Sequence, residues 1–131
     1  MKPPHPKDAE PVTAGLRYNK GKPRYDLVPP AAYKALAVHF GQGAKKYADR
    51  NWEKGLDIAD IGRAIESHLT EWKLGHSFDR EDPAMPGYRA HHLIAIIWNA
   101  AVLYEHERRQ IGGDTRAAAQ FGDVMEPGDM E

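Results

Sequence analysis

Apolar positions along this chain fall into three stretches of helical period, separated by polar and glycine-containing segments. The first follows Pro29-Pro30 and runs from about Ala31 to Tyr47, with Leu36, Phe40, Ala44 and Tyr47 on one face. Gly41 and Gly43 interrupt it. An interior glycine costs about 1 kcal/mol relative to alanine, so the pair implies close packing, a bend, or backbone approach to a ligand. Asp49-Arg50-Asn51 closes the segment. The second stretch begins at Asp57, a suitable N-cap, puts Ile58, Ile61, Ile65, Leu69 and Trp72 on one stripe, and stops at Gly75. At about 100° per residue, His68 and Glu71 share one flank of that stripe with Ala64, and Glu66 lies on the other flank near Lys73.

The third stretch runs roughly from Arg89 to Arg109, and its middle, Leu93 to Tyr104, is apolar nearly all round. That pattern predicts a helix buried on several sides, for which a subunit interface would account. Within it His92, Asn99 and His106 recur every seven residues and fall on nearly one line, so buried polarity is concentrated on one face and must find partners there. The three stretches together predict an all-α fold in one domain over residues 16–111. Residues 1–15, with Pro3, Pro4, Pro6 and Pro11, read as a flexible arm; residues 112–131, with five acids against Arg116, read as a flexible acidic tail.

Charge and composition narrow the chemistry. With 18 Lys and Arg against 19 Asp and Glu, the net charge of -1 argues against a protein that works by coating nucleic acid or anionic membrane, so any basic site is local. The absence of cysteine excludes thiolate metal sites, disulfides and cysteine nucleophiles, leaving metal chemistry to His, Asp and Glu. The start, Met1-Lys2-Pro3-Pro4-His5-Pro6, lacks the apolar segment of an export signal. Leu93 to Tyr104 is too short for the ~20 residues that span a bilayer. The expectation is a soluble cytoplasmic protein.

Two segments carry candidate chemistry. Arg17, Lys20, Lys22 and Arg24 put four cations in eight residues around Gly21, a pattern that suits phosphate oxygens, with Tyr18 or Tyr25 available to stack on a base. The same composition also describes a solvated basic loop or a nucleic-acid-binding arm. In Gly43-Ala44-Lys45-Lys46-Tyr47, Lys46 flanks the apolar face beside His39 and Lys45 points away, which makes Lys46 the better phosphate candidate. Asp79-Arg80-Glu81-Asp82 sets three carboxylates in four residues just after the flank holding His68 and Glu71. That is either a site for Mg or Mn or a solvated acidic turn.

Taken in order, Arg17-Tyr-Asn-Lys-Gly-Lys-Pro-Arg-Tyr-Asp-Leu-Val-Pro29, Gly43-Ala-Lys-Lys-Tyr47, Asn51-Trp52, His68, Gly75, Asp79, Glu81, His92 and Asn99 resemble the phage and bacterial dATP/dGTP diphosphohydrolases, a branch of the MazG-like all-α NTP pyrophosphohydrolases. The resemblance covers about residues 17 to 105. It implies a bundle of three main helices completed by assembly into dimers or tetramers, with a structured basic N-terminal loop. It also implies hydrolysis of a purine deoxynucleoside triphosphate, dGTP or dATP, to the monophosphate and pyrophosphate, with two or more Mg or Mn ions and water attack at the α-phosphorus. Such an activity would shape the deoxynucleotide pool.

The resemblance also implies residue roles. His68, Glu71 and Asp79 are the expected catalytic groups, and His68, Glu71, Asp79, Glu81, Asp82 and His92 the expected metal ligands. Arg17, Asn19, Lys20, Lys22, Arg24, Lys46, Asn51, Trp52 and Asn99 are the expected substrate contacts. One departure stands out: MazG-like enzymes carry Glu-x-x-Glu on one helix and Glu-x-x-Asp on the next, whereas this chain has His68-x-x-Glu71 and His92-x-x-Ala95. Either some ligands come from the Asp79 to Asp82 hairpin, or a metal is lost. The competing reading is a non-catalytic nucleic-acid or nucleotide-binding module that uses Arg17 to Arg24 and needs no metal.

Overall fold

The structure is a computed structural model that describes residues 15–16 and 20–116. Among them the architecture is all-α: helix α1 spans Pro30–Lys46, α2 Ile58–Lys73 and α3 His92–Arg109, with 3-10 turns at Tyr25–Leu27 and Asn51–Lys54. Both α1 and α2 pack on α3, α2 the more extensively.

Local chemistry accounts for the helix ends. Helix α1 opens with Pro30, whose missing N–H falls where no helical partner exists, and closes on Lys45 and Lys46, cations that suit the negative end of the helix. In α2, the Asp57 carboxylate accepts from the Ala59 N–H at 3.0 Å. Its far end is a Schellman turn, with Gly75 at φ +97 and the amides of Gly75 and His76 donating to the carbonyls of Trp72 and Glu71.

Helix α3 begins three residues later than the sequence pattern predicts. Residues just before it are held extended by the segment that follows α2: Phe78 and His91 form an antiparallel bridge, the Asp79 N–H donates to the Ala90 carbonyl at 2.8 Å, and the His92 N–H to the Ser77 carbonyl at 2.9 Å. Tertiary pairing thus takes backbone groups that helical propensity would otherwise have used. The α2–α3 connection is consequently a loop closed at its base.

The buried face of α3 is His92, Ala95, Asn99, Val102 and His106, alternating three and four residues apart, and α2, which packs on α3, contributes the buried Ile61. The polar line expected along this helix is therefore the core itself. Each polar member has partners: His92 meets His68, the Asn99 amide donates to the Ala95 carbonyl at 2.7 Å, and the His106 ring lies between the Val102 carbonyl and the Leu56 N–H. Opposite this seam, Leu93, Ile97 and Tyr104 form an exposed apolar face.

Beyond α3 the chain turns at Gln110 (φ 55) and runs back alongside the start of α2. The Gly113 N–H donates to the Leu56 carbonyl at 3.2 Å, and the Ile58 N–H to the Gly113 carbonyl at 2.9 Å. Gly112 to Arg116, which the sequence assigns to the tail, are among the described residues, and Gly112 and Gly113 lie against this edge. No helix among the described residues is long and apolar enough to cross a membrane.

Candidate metal and nucleotide site

A cleft of about 860 Å³ opens between the C-terminal half of α1, the turn through Asn51, α2, the α2–α3 loop and the middle of α3. That volume suits a small-molecule ligand, for which ~300–1,000 Å³ is usual. Three of the expected metal ligands, His68, Asp79 and Asp82, line it, and His92 lies buried behind His68. One donor atom from each of His68, Asp79 and His92 lies within 4.8 Å of the others.

The trio has a simple origin in the fold. His68 sits in the last part of α2, His92 opens α3, and the Phe78–His91 bridge brings Asp79 back between them. The Nδ1 atoms of His68 and His92 are 2.8 Å apart, so one carries a proton and donates while the other accepts. Burial holds the His68 imidazole below its ordinary pKa; Asp79 pulls the other way and His92 adds to the depression. Two imidazoles and a carboxylate are ligands for a divalent cation of borderline character, and the group fits such an ion.

Other expected ligands are directed elsewhere. The Glu71 carboxylate pairs with His76 Nδ1 at 2.7 Å, because the Schellman turn folds His76 back over it. Glu81 accepts from the Gly87 N–H at 2.7 Å. Asp82 lines the cleft but is engaged by Lys46 at 2.7 Å, and that ion pair holds the Asp82 carboxyl below its usual range.

Of the expected substrate contacts, Lys46, Asn51, Trp52 and Asn99 all line the cleft. Asn99 is oriented there: its Nδ2 bond to the Ala95 carbonyl fixes the amide, leaving Oδ1 as the acceptor. Lys20 and Lys22 are exposed and outside the cleft lining, and Arg24 forms a fork with Asp26 at 2.7 and 2.9 Å. Arg17 and Asn19 lie outside the described residues.

Several lining residues escaped the sequence reading. Arg50 and Arg80 add cations on two different loops, the first from a left-handed backbone position (φ 53). A non-glycine residue there was hidden in sequence, and Arg80 was masked by its acidic neighbours. His39 and Tyr88 meet at 2.7 Å across the cleft wall, with Trp98 packed edge-on against His39. Burial, followed by the nearby His68, lowers the His39 pKa. Only the α2–α3 loop's fold, which sequence pattern does not carry, reveals the Tyr88 partner.

Three helices around a cleft with a His, His, Asp group at one wall define an all-α protein with a candidate divalent-metal centre. The chain belongs to the dATP/dGTP diphosphohydrolase, N-terminal family, whose model matches residues 12–116, a span wider at both ends than the sequence motifs suggested. The family is named for hydrolysis of purine deoxynucleotides. No curated protein and no solved structure matches the chain.

Proposed function

We propose that the chain hydrolyses a purine deoxynucleoside triphosphate, dGTP, dATP or both, to the monophosphate and pyrophosphate with the help of a divalent cation. The observation that carries this reading is the convergence of His68, Asp79 and His92 beside a nucleotide-sized cleft that also contains Lys46, Arg50 and Arg80. Membership of a family named for this activity supports it. His68, Asp79 and His92 would hold the ion, which when bound supplies neutralisation of phosphate charge and a lowered pKa for water.

The chain's own groups divide the remaining work. Lys46, Arg50 and Arg80 offer donors to the triphosphate oxygens, stabilising charge that builds on the leaving pyrophosphate. Trp52 offers an aromatic face to the base, and Asn99 Oδ1 an acceptor. Water forms the new bond to the α-phosphorus, the bond to the bridging oxygen breaks, and the proton from water passes to the Asp79 carboxylate. Pyrophosphate departs with the bridging oxygen. No covalent intermediate is required.

With two imidazoles in the donor set, manganese is favoured over magnesium, which prefers oxygen ligands throughout. The test is incubation of the protein with each purine dNTP, with and without Mn or Mg, and chromatographic separation of the products. Monophosphate and pyrophosphate should appear only with metal, and at lower manganese than magnesium concentration. Release of intact triphosphate, or no turnover at all, would overturn the proposal.

A further inference from the structure

Trp52 is braced from outside the cleft. Its indole lines the cleft, yet the Arg109 guanidinium lies over the ring with its carbon 5.1 Å from the centroid, and Arg109 is not among the cleft residues. The His106 ring packs beside the same indole at 6.2 Å, tilted by 38°. Arg109 is itself held by two carboxylates on different elements: its Nε donates to Glu105 at 2.7 Å and a terminal nitrogen to Glu53 at 3.2 Å. Glu105 lies one turn back on α3, and Glu53 is the residue next to Trp52.

We infer that Arg109 is a positioning residue for base binding: it clamps Trp52 so that the indole presents its opposite face to a purine. This rests on the nucleotide reading of the cleft and extends it to a residue at the far end of α3. The physical basis is twofold. A cation over one face of an indole is attracted by the ring's quadrupole and fixes the ring's tilt. The Glu53 bond also ties the 3-10 turn carrying Trp52 to the end of α3, so the platform cannot swing away without breaking an ion pair. A fixed platform stacks on a base at less entropic cost than a mobile one.

Steady-state kinetics with dGTP and dATP on wild type, Trp52→Ala, Arg109→Gln and Arg109→Lys tests this, with melting curves for each protein. The expected result is a KM raised about tenfold or more in W52A and roughly threefold to tenfold in R109Q, with kcat changed much less. R109K, which keeps a charge near the ring but loses the two-carboxylate fork, should fall between R109Q and wild type. If R109Q does not fold, the R109K value carries the test, and a wild-type KM there overturns the inference. A KM in folded R109Q equal to wild type, beside a raised KM in W52A, overturns the role of Arg109 and leaves the nucleotide reading intact. An unchanged KM in W52A overturns the platform itself. Wild-type protein inert towards both nucleotides overturns the underlying reading as well.

Discussion

Gly112 has no room for a side chain. It sits at φ +83, and a Cβ there would run into the Leu56 carbonyl oxygen and approach His106 Cδ2 to 2.6 Å. Gly112→Ala should therefore destabilise the protein by at least about 2 kcal/mol, since a left-handed alanine alone costs about 1–2; denaturant titration checks it. Gly41 and Gly43 differ, because a methyl at either meets nothing within 4 Å. Close packing against the described residues is therefore not the reason for the pair. Gly41→Ala should stabilise by up to about 1 kcal/mol, raising the melting temperature by roughly 4–8 °C. Gly43 lines the cleft, so the same change there should stabilise the fold while weakening nucleotide binding.

Also at this scale, Asp79→Asn and Glu71→Gln separate two placements of the chemistry. Asp79 belongs to the His68 and His92 group; Glu71 is occupied by His76. Metal-dependent turnover should fall about 100-fold or more in D79N, beyond the 10–100-fold typical of groups that merely orient a ligand. In E71Q it should stay within about threefold of wild type. A collapse in E71Q instead would mean that the His76 pair opens when metal and nucleotide bind.

At the scale of elements, what was legible in the sequence was what is local. Helix α2 has its cap and stop written within its own residues, and Asp57 and Gly75 perform those roles; of the stripe Ile58, Ile61, Ile65, Leu69 and Trp72, Ile61 is buried, while Leu69 and Trp72 stay exposed. The heptad-spaced line of His92, Asn99 and His106 was equally legible, because helix geometry alone puts those residues on one face. The start of α3 and the direction of Glu71 were not. Both depend on how the α2–α3 loop closes, through the Phe78–His91 bridge and the turn at Gly75. The Lys46–Asp82 pair likewise joins residues 36 apart, and no periodic pattern announces it. Asp57→Ala tests the local reading: losing the cap to Ala59, and the Thr115 contact at 3.3 Å, should cost about 1 kcal/mol by calorimetry.

Across the described residues, the core is thin and half of its buried residues are polar: Ile61, Ala95 and Val102 beside His92, Asn99 and His106. Acid should expose this. His39 and His68 both have pKa values lowered from 6.5, chiefly by burial. The unfolded chain thus binds protons below about pH 6.5 that the folded chain still refuses, and stability falls as pH drops through that window. The melting temperature of metal-free protein should decline between pH 7.5 and 5.5, and less steeply in His39→Gln. The exposed Leu93, Ile97 and Tyr104 face is the surface through which we expect dimers or tetramers to form, and Ile97→Glu should lower the mass seen by sedimentation.

The pairing of Gly113 with the edge at Leu56 and Ile58 has a kinetic corollary. The Ile58 amide, which no helical carbonyl can serve, is bonded through a segment 55 residues further along the chain. Its hydrogen exchange should then track the detachment of that segment and not the fraying of α2. The Ile58 and Gly113 amides should exchange in concert, and Gly112→Ala should accelerate both together while leaving the middle of α2 protected.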